Sequence, residues 1–142
     1  MLKCYNISSF EAEKIIVLPT NTALISINDE YSPERKFPFP GHIFITKFSD
    51  LADKKVLENL SFNPISLKQA REMLEFIIEN KDKNFIVHCF AGVSRSAAVC
   101  LFLNLIFGHQ LKDNFWLLSC PNPYVLGKLI TVYKENYEHS IS

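Results

Sequence analysis

The sequence predicts an α/β fold, with a parallel-sheet core of four or five strands flanked by helices. Three observations predict it. Short apolar, β-branched runs alternate along the chain with stretches of helical period. The strand runs are apolar at consecutive positions, as in sheets covered on both faces. The run Phe85-Ile86-Val87 passes through a glycine-containing loop directly into the apolar stretch Ala97–Leu103, which is the strand–loop–helix unit of such folds.

Taken in order, Thr22–Ile27 is the first strand, closed by Asn28-Asp29-Glu30 and then Ser32-Pro33. Pro38, Pro40 and Gly41 mark a loop, and Ile43–Thr46 is the next strand. Asp50–Leu60 is polar and mixed, a loop with at most one helical turn. Ser66 with Gln69 fits a capping box, and Leu67, Ala70, Leu74, Ile77 and Ile78 share one face of the helix that follows. Asn80 and Lys81-Asp82-Lys83 end that helix before the Phe85–Val87 strand. A long helix begins near Ser94 and stops at Gly108, a residue suited to a left-handed C-cap. A short helix is expected within Leu111–Leu118. Asn122 as cap and Pro123 at the first helical position open the last helix, with Val125, Leu126, Leu129, Ile130 and Tyr133 inward.

The chain has 142 residues, enough for one domain over 1–142 with a real core. Formal net charge is zero, so no global field steers it to nucleic acid or an anionic membrane, and any phosphate affinity must be local. No N-terminal apolar core with a cleavage site is present, so no secretory signal is expected. The longest apolar run, Ala97–Phe107, is broken by Asn104 and falls short of the roughly 20 residues of a membrane span. The expectation is a cytoplasmic monomer. Cys4, Cys89, Cys100 and Cys120 have neither zinc-ligand spacing nor the density of a disulfide framework. Reduced thiols are therefore expected, with Cys100 filling core on the long helix. A resolving role for Cys4 or Cys120 in oxidation of Cys89 stays open.

The run His88-Cys89-Phe90-Ala91-Gly92-Val93-Ser94-Arg95-Ser96 carries the chemistry. Cysteine, five residues and arginine lie on one tight loop between a strand and a helix. Loop and first-turn N–H groups there converge on one spot, and the helix dipole adds partial positive charge. That field binds phosphate and also favours a thiolate at Cys89. The Arg95 fork can hold two phosphate oxygens. The Ser96 hydroxyl is placed to donate to the sulfur. The bland alternative is a small core cysteine at a helix N-terminus.

The segment His88-Cys89, Gly92 and Arg95-Ser96 resembles the signature loop of the cysteine-based protein tyrosine phosphatases, closest to the small dual-specificity-like branch and its compact bacterial relatives. Ala23–Ile27 is similar to an early strand of that family, Lys47-Phe48-Ser49-Asp50 to its acid-bearing segment, and Pro121-Asn122-Pro123 to the opening of the last helix in compact bacterial members. The resemblance implies a dual-specificity-phosphatase-like fold. It implies a phosphomonoester hydrolase that works through a phosphocysteine, without metal or other cofactor. Cys89 is then the nucleophile. The backbone of Phe90, Ala91, Gly92, Val93, Ser94 and Arg95 cradles the phosphate, with the Arg95 guanidinium as clamp. Ser96 steadies the departing thiolate, and His88 shapes the loop.

The general acid must be a carboxyl on a neighbouring loop. Asp50 comes first because it closely follows the Ile43–Thr46 strand, with Asp53 and Asp29 as alternatives; the bland alternative is that Asp50 and Asp53 are solvated loop carboxylates or helix caps and none of the three is the acid. Phe90 is either a pocket wall or an inward packer. His42, His109 and His139 have no partners suggesting chemistry.

Phe90, Ala91, Val93 and Ser94 include no lysine, which weighs against a phosphoinositide substrate relative to a phosphorylated protein or peptide. Protein phosphotyrosine leads, with dual specificity next, because the chain is too short for the larger tyrosine-specific domain. Other readings are a phosphoinositide or small-phosphoester phosphatase and a catalytically silent phosphate-binding module. Arsenate reductases and low-molecular-weight phosphatases fit less well, because their loop lies near the N-terminus. Rhodanese-like sulfur transferases fit less well because of Arg95-Ser96.

Overall fold

The computed structural model describes residues 1–51 and 62–136. Its sheet has four parallel strands, β1 (Cys4–Ser8), β2 (Thr22–Asn28), β3 (His42–Lys47) and β4 (Asn84–Cys89), in the order β1-β4-β2-β3. The helices are α1 (Ser9–Ala12), α2 (Leu67–Glu79), α3 (Arg95–Phe107), α4 (Phe115–Leu118) and α5 (Pro123–Asn136). The predicted α/β class and its parallel sheet are observed. Two elements go beyond the sequence expectation, the edge strand β1 and the short α1. Most of the Asp50–Leu60 loop lies outside the described residues.

The central strands explain their own composition. Every residue of β2 is buried. Ala23, Ile25 and Ile27 join Phe85 and Val87 of β4 in the main core cluster. The alternate positions Leu24 and Ser26 turn to the opposite face. There His88 meets the Phe37 ring at a centroid distance of 6.2 Å, and Ala12 and Phe39 are buried.

The helical layer packs α3 on β1 and β4, and α5 on both α2 and α3. The Ser66–Gln69 capping box is formed reciprocally, Ser66 Oγ accepting from the Gln69 N–H and Gln69 Oε1 from the Ser66 N–H, each at 3.0 Å. Buried positions of α2 are Ala70, Met73, Leu74 and Ile77. Met73 takes the place expected for Leu67, which stands at the first helical position and stays exposed. Truncating the fully buried Leu74 to alanine would cost about 2–5 kcal/mol. In α5, Val125, Leu129 and Val132 are buried, while Leu126, Ile130 and Tyr133 pack at the edge of the core. Gly108 adopts the left-handed conformation at the end of α3, as its position predicts (φ 77°).

One expectation is corrected. Cys4 of β1 and Cys100 of α3 form a disulfide across 96 residues of chain, so Cys100 is a cross-link as well as core filling. Strand and helix pack on each other, which brings the two sulfurs together. Cys89 and Cys120 are free thiols. Among the described residues no helix is long and apolar enough to cross a membrane.

Parallel register brings the carboxyl ends of all four strands to one side of the sheet. Ser8 pairs with Cys89, Ser26 with His88, and Asn28 with Lys47. Open parallel sheets bind ligands beyond that edge.

Candidate active site

Five carbonyls of the loop, those of Cys89, Phe90, Gly92, Val93 and Ser94, are tied outward. Cys89 O accepts from Ser9 Oγ (3.3 Å) and Phe90 O from the Ser9 N–H (3.0 Å). Gly92 O accepts from Asn6 Nδ2 (2.8 Å), Val93 O from the Cys120 N–H (2.9 Å) and Ser94 O from the Asn122 N–H (3.0 Å). Among the described residues no peptide bond is cis, and in a trans peptide the N–H points opposite to the C=O. The N–H groups of Phe90, Ala91, Val93, Ser94 and Arg95 therefore face the inside of the loop. Those of Gly92 and Ser96 hydrogen-bond Cys89. Ser94 precedes α3 but makes no side-chain cap, which leaves the helix's first donors uncapped by it, in contrast to Ser8 and Ser66, which cap theirs.

Gly92 permits this shape. It has φ +71°, and a Cβ there would stand 2.5 Å from the Ile7 carbonyl carbon and 2.7 Å from the Ser8 nitrogen. Only glycine allows the loop to lie so close to β1.

Cys89 lies at the floor of the cradle and is 2% exposed. Burial pushes its thiol up. The Ser96 hydroxyl, the Ser96 and Gly92 N–H groups and the Arg95 charge together outweigh burial and hold it below its ordinary value. Ser96 Oγ is 3.2 Å from the sulfur. Beside it, burial depresses the His88 imidazole to about 4, helped by the Arg35 and Arg95 charges and opposed by its hydrogen bond to Cys89 O. The ring is neutral at pH 7. Its tautomer follows from its neighbours: Asn28 Nδ2 donates to Ser26 Oγ (3.0 Å), so the Ser26 hydroxyl is free to donate to His88 Nε2 (2.6 Å). The ring proton then sits on Nδ1, which donates to Cys89 O (3.4 Å).

Arg95 is buried at the carboxyl ends of β2 and β3. Nη1 donates to Phe48 O (2.7 Å) and Asn28 O (3.5 Å), and Nη2 to Asp29 Oδ1 (2.8 Å). Among the described residues its Nε, which is buried, has no hydrogen-bond partner. A buried, unpaired guanidinium donor beside a ring of inward N–H groups suits the oxygen of an anion.

The three candidate aspartates separate. Asp50 is exposed, and its Oδ1 accepts from Ser94 Oγ and from Asn122 Nδ2, each at 2.8 Å. It is thus fastened through Oδ1 to the loop that holds Cys89. Asp29 is ion-paired to Arg95. Asp53 lies outside the described residues.

Sequence reasoning missed the braces. Asn6, Ser9, Ser26, Asn28 and Arg35 all touch the loop or its supports. Arg35 donates to Asn28 Oδ1 (3.2 Å) and Ser9 Oγ (3.3 Å). Buried polar residues at strand ends, such as Ser26 and Asn28 in an otherwise apolar strand, were the available signal. Asn122 caps α5 as expected, accepting from the Tyr124 and Val125 N–H groups, and its contact with Asp50 is additional. Phe90 is 70% exposed, so it stands on the rim of the loop and does not pack inward. Buried His109 contacts the Lys83 carbonyl through Nε2.

No family model matches the chain, and no curated protein sequence matches it. Among solved structures, the chain is similar to the crystal structure of human tyrosine phosphatase-like serine/threonine/tyrosine-interacting protein. That match has a TM-score of 0.44 and 20% identity, and covers 82% of this chain and 78% of that one.

Proposed function

We propose that the chain is a cysteine-dependent phosphatase that hydrolyses phosphomonoesters, with protein phosphotyrosine as the leading substrate and dual specificity next. The observation that carries the reading is the set of five outward-tied carbonyls, of Cys89, Phe90, Gly92, Val93 and Ser94, which turns a ring of N–H donors onto the space above a thiol held below its ordinary value.

In the first step the Cys89 thiolate attacks phosphorus. The S–P bond forms as the P–O bond to the leaving group breaks, and Asp50 gives its proton to the leaving oxygen. Inward N–H groups and the Arg95 guanidinium stabilise the equatorial oxygens, whose charge the cradle is organised to meet before reaction begins. In the second step Asp50, now a carboxylate, takes a proton from water while that water attacks phosphorus. The S–P bond breaks, inorganic phosphate leaves, and the Ser96 hydroxyl receives the departing thiolate. The residues of the site itself supply the positive potential. An exposed aromatic at Phe90 and the absence of lysine from the loop suit an aryl phosphate better than a polyphosphorylated inositol.

The test uses p-nitrophenyl phosphate with the wild type, Cys89→Ser and Ser96→Ala. The wild type should turn over, and a rapid acid quench should trap a phosphoryl group on Cys89. Cys89→Ser should be inactive. Iodoacetate inactivation of the wild type should reach half-rate below the ordinary thiol value of about 8.5, and Ser96→Ala should move that midpoint up. Turnover by Cys89→Ser, or a thiol that titrates like free cysteine, rejects the mechanism.

A further inference from the structure

We propose that Asp29 is a positioning residue for Arg95: its carboxylate sets the plane of the buried guanidinium so that the two unclaimed N–H groups face the cradle together. The consequence for turnover rests on the phosphatase reading above; the geometry does not.

A guanidinium has five N–H donors in a rigid fork. The two on Nη1 have the Phe48 and Asn28 carbonyls as acceptors, and one on Nη2 goes to Asp29 Oδ1 at 2.8 Å. What remains is Nε–H, buried without a partner among the described residues, and one N–H of Nη2. Those neighbouring donors form the edge that grips two oxygens of one phosphate. The carbonyls anchor only the Nη1 corner. Asp29 supplies the second anchor, at the far corner, and a planar group held at two corners has its third edge fixed. It also gives a buried cation a counter-charge; Arg95 is 3% exposed. Asp29 occupies the residue directly after β2, so the strand itself delivers the carboxylate to this place.

Two other roles are chemically sensible and predict different results. As a phosphate mimic, Asp29 would compete with the ligand for Arg95. As a general acid, it would serve the leaving group. Both are separable from positioning by measuring Asp29→Ala and Asp29→Asn against wild type.

For Asp29→Ala, positioning predicts that kcat/KM falls roughly 10- to 100-fold and that the inhibition constant for inorganic phosphate rises. The loss should be equal for p-nitrophenyl phosphate and for a phosphate ester with a poor leaving group, and the shape of the pH–rate profile should stay that of wild type. Asp29→Asn keeps an oxygen at the Oδ1 position and should recover most of the loss. A phosphate inhibition constant that tightens or stays unchanged in Asp29→Ala overturns the proposal, and so does a loss confined to the poor leaving group. Phosphate affinity is also measured directly by calorimetry. Absence of turnover by wild type would reject the phosphatase reading and leave these affinities to decide Asp29. Absence of phosphate binding by wild type would overturn both.

Discussion

Asn122 Nδ2 donates to Asp50 Oδ1 at 2.8 Å, while Oδ1 of the same asparagine accepts from the first N–H groups of α5. One buried amide therefore serves two ends. It caps the helix that packs on α2 and α3, and it holds the carboxylate that reaches the Cys89 loop through Ser94. The Asn122 N–H in turn ties Ser94 O outward. The Asp50 carboxyl, the Cys89 loop and α5 are linked through a single side chain and its backbone.

Two substitutions at Asn122 should separate these jobs. Asn122→Ala removes cap and brace, costing about 0.5–2 kcal/mol of stability from the cap and lowering turnover, most of all for esters with poor leaving groups. Asn122→Asp retains the capping oxygen but cannot donate, and it sets a like charge beside Asp50. It should melt close to wild type yet lose activity as Asn122→Ala does. Thermal unfolding beside kcat for good and poor leaving groups checks this. Wild-type kinetics in Asn122→Asp would show that the brace is dispensable.

Protonation of His88 should set the acid limit of stability. The folded ring titrates at about 4, against 6.5 for the same group in the unfolded chain. Between those values the unfolded state binds the proton and the folded state does not, so stability is complete above pH 6.5 and declines as pH falls toward 4. The loss totals roughly 3 kcal/mol, since each pH unit separating the two values is worth about 1.4 kcal/mol. Urea unfolding at pH 7 and pH 4.5 reads the loss, and imidazole NMR reads its origin. His88 resonances that titrate between pH 7 and 6 would refute the assignment.

What the sequence disclosed, and what it hid, follows from how far apart the interacting residues lie. β4, the loop and α3 are contiguous, so the order strand, glycine, arginine, helix was readable as it stands. Ser66 with Gln69, and Asn122 with Pro123, are equally local. β1 was not readable: Cys4-Tyr5-Asn6-Ile7-Ser8 mixes polar and apolar residues, and its burial comes from pairing with β4 some eighty residues later. Asp29 and Asp50 look alike in sequence, each a carboxylate just beyond a strand. Only the fold shows that one meets Arg95 and the other Ser94 and Asn122. Cysteine spacing carried no sign of the Cys4–Cys100 bond, because pattern rules for cysteines rest on short separations or high density.

That cross-link makes its own prediction. Closing a loop of 96 residues removes unfolded-state entropy worth about 4–5 kcal/mol in the chain-entropy account. Denatured without reductant, the protein should show two reactive thiols, Cys89 and Cys120, and four after reduction. The reduced protein, or the Cys4→Ala/Cys100→Ala pair of substitutions, should unfold at lower denaturant. Four thiols in the unreduced protein would show that the bond does not form in solution.

Gly92→Ala is the sharpest test of the cradle's shape. An added methyl meets backbone atoms of Ile7 and Ser8, not a side chain that could swing aside, and φ +71° is costly for alanine in any surroundings. The loop must retreat from β1. That loosens the bond from Asn6 Nδ2 to Gly92 O and moves the Gly92 N–H away from the sulfur. Two effects should appear together. Turnover should fall about 10²-fold or more, since oxyanion donors lose their aim. The Cys89 thiol should also titrate at higher pH, because one of the donors that keep it ionised has withdrawn. The pH dependence of iodoacetate inactivation measures the second effect independently of any substrate. If turnover falls while the thiol midpoint stays where it is in wild type, the close approach of this loop to β1 shapes substrate binding alone and the coupling of thiolate to cradle geometry is wrong.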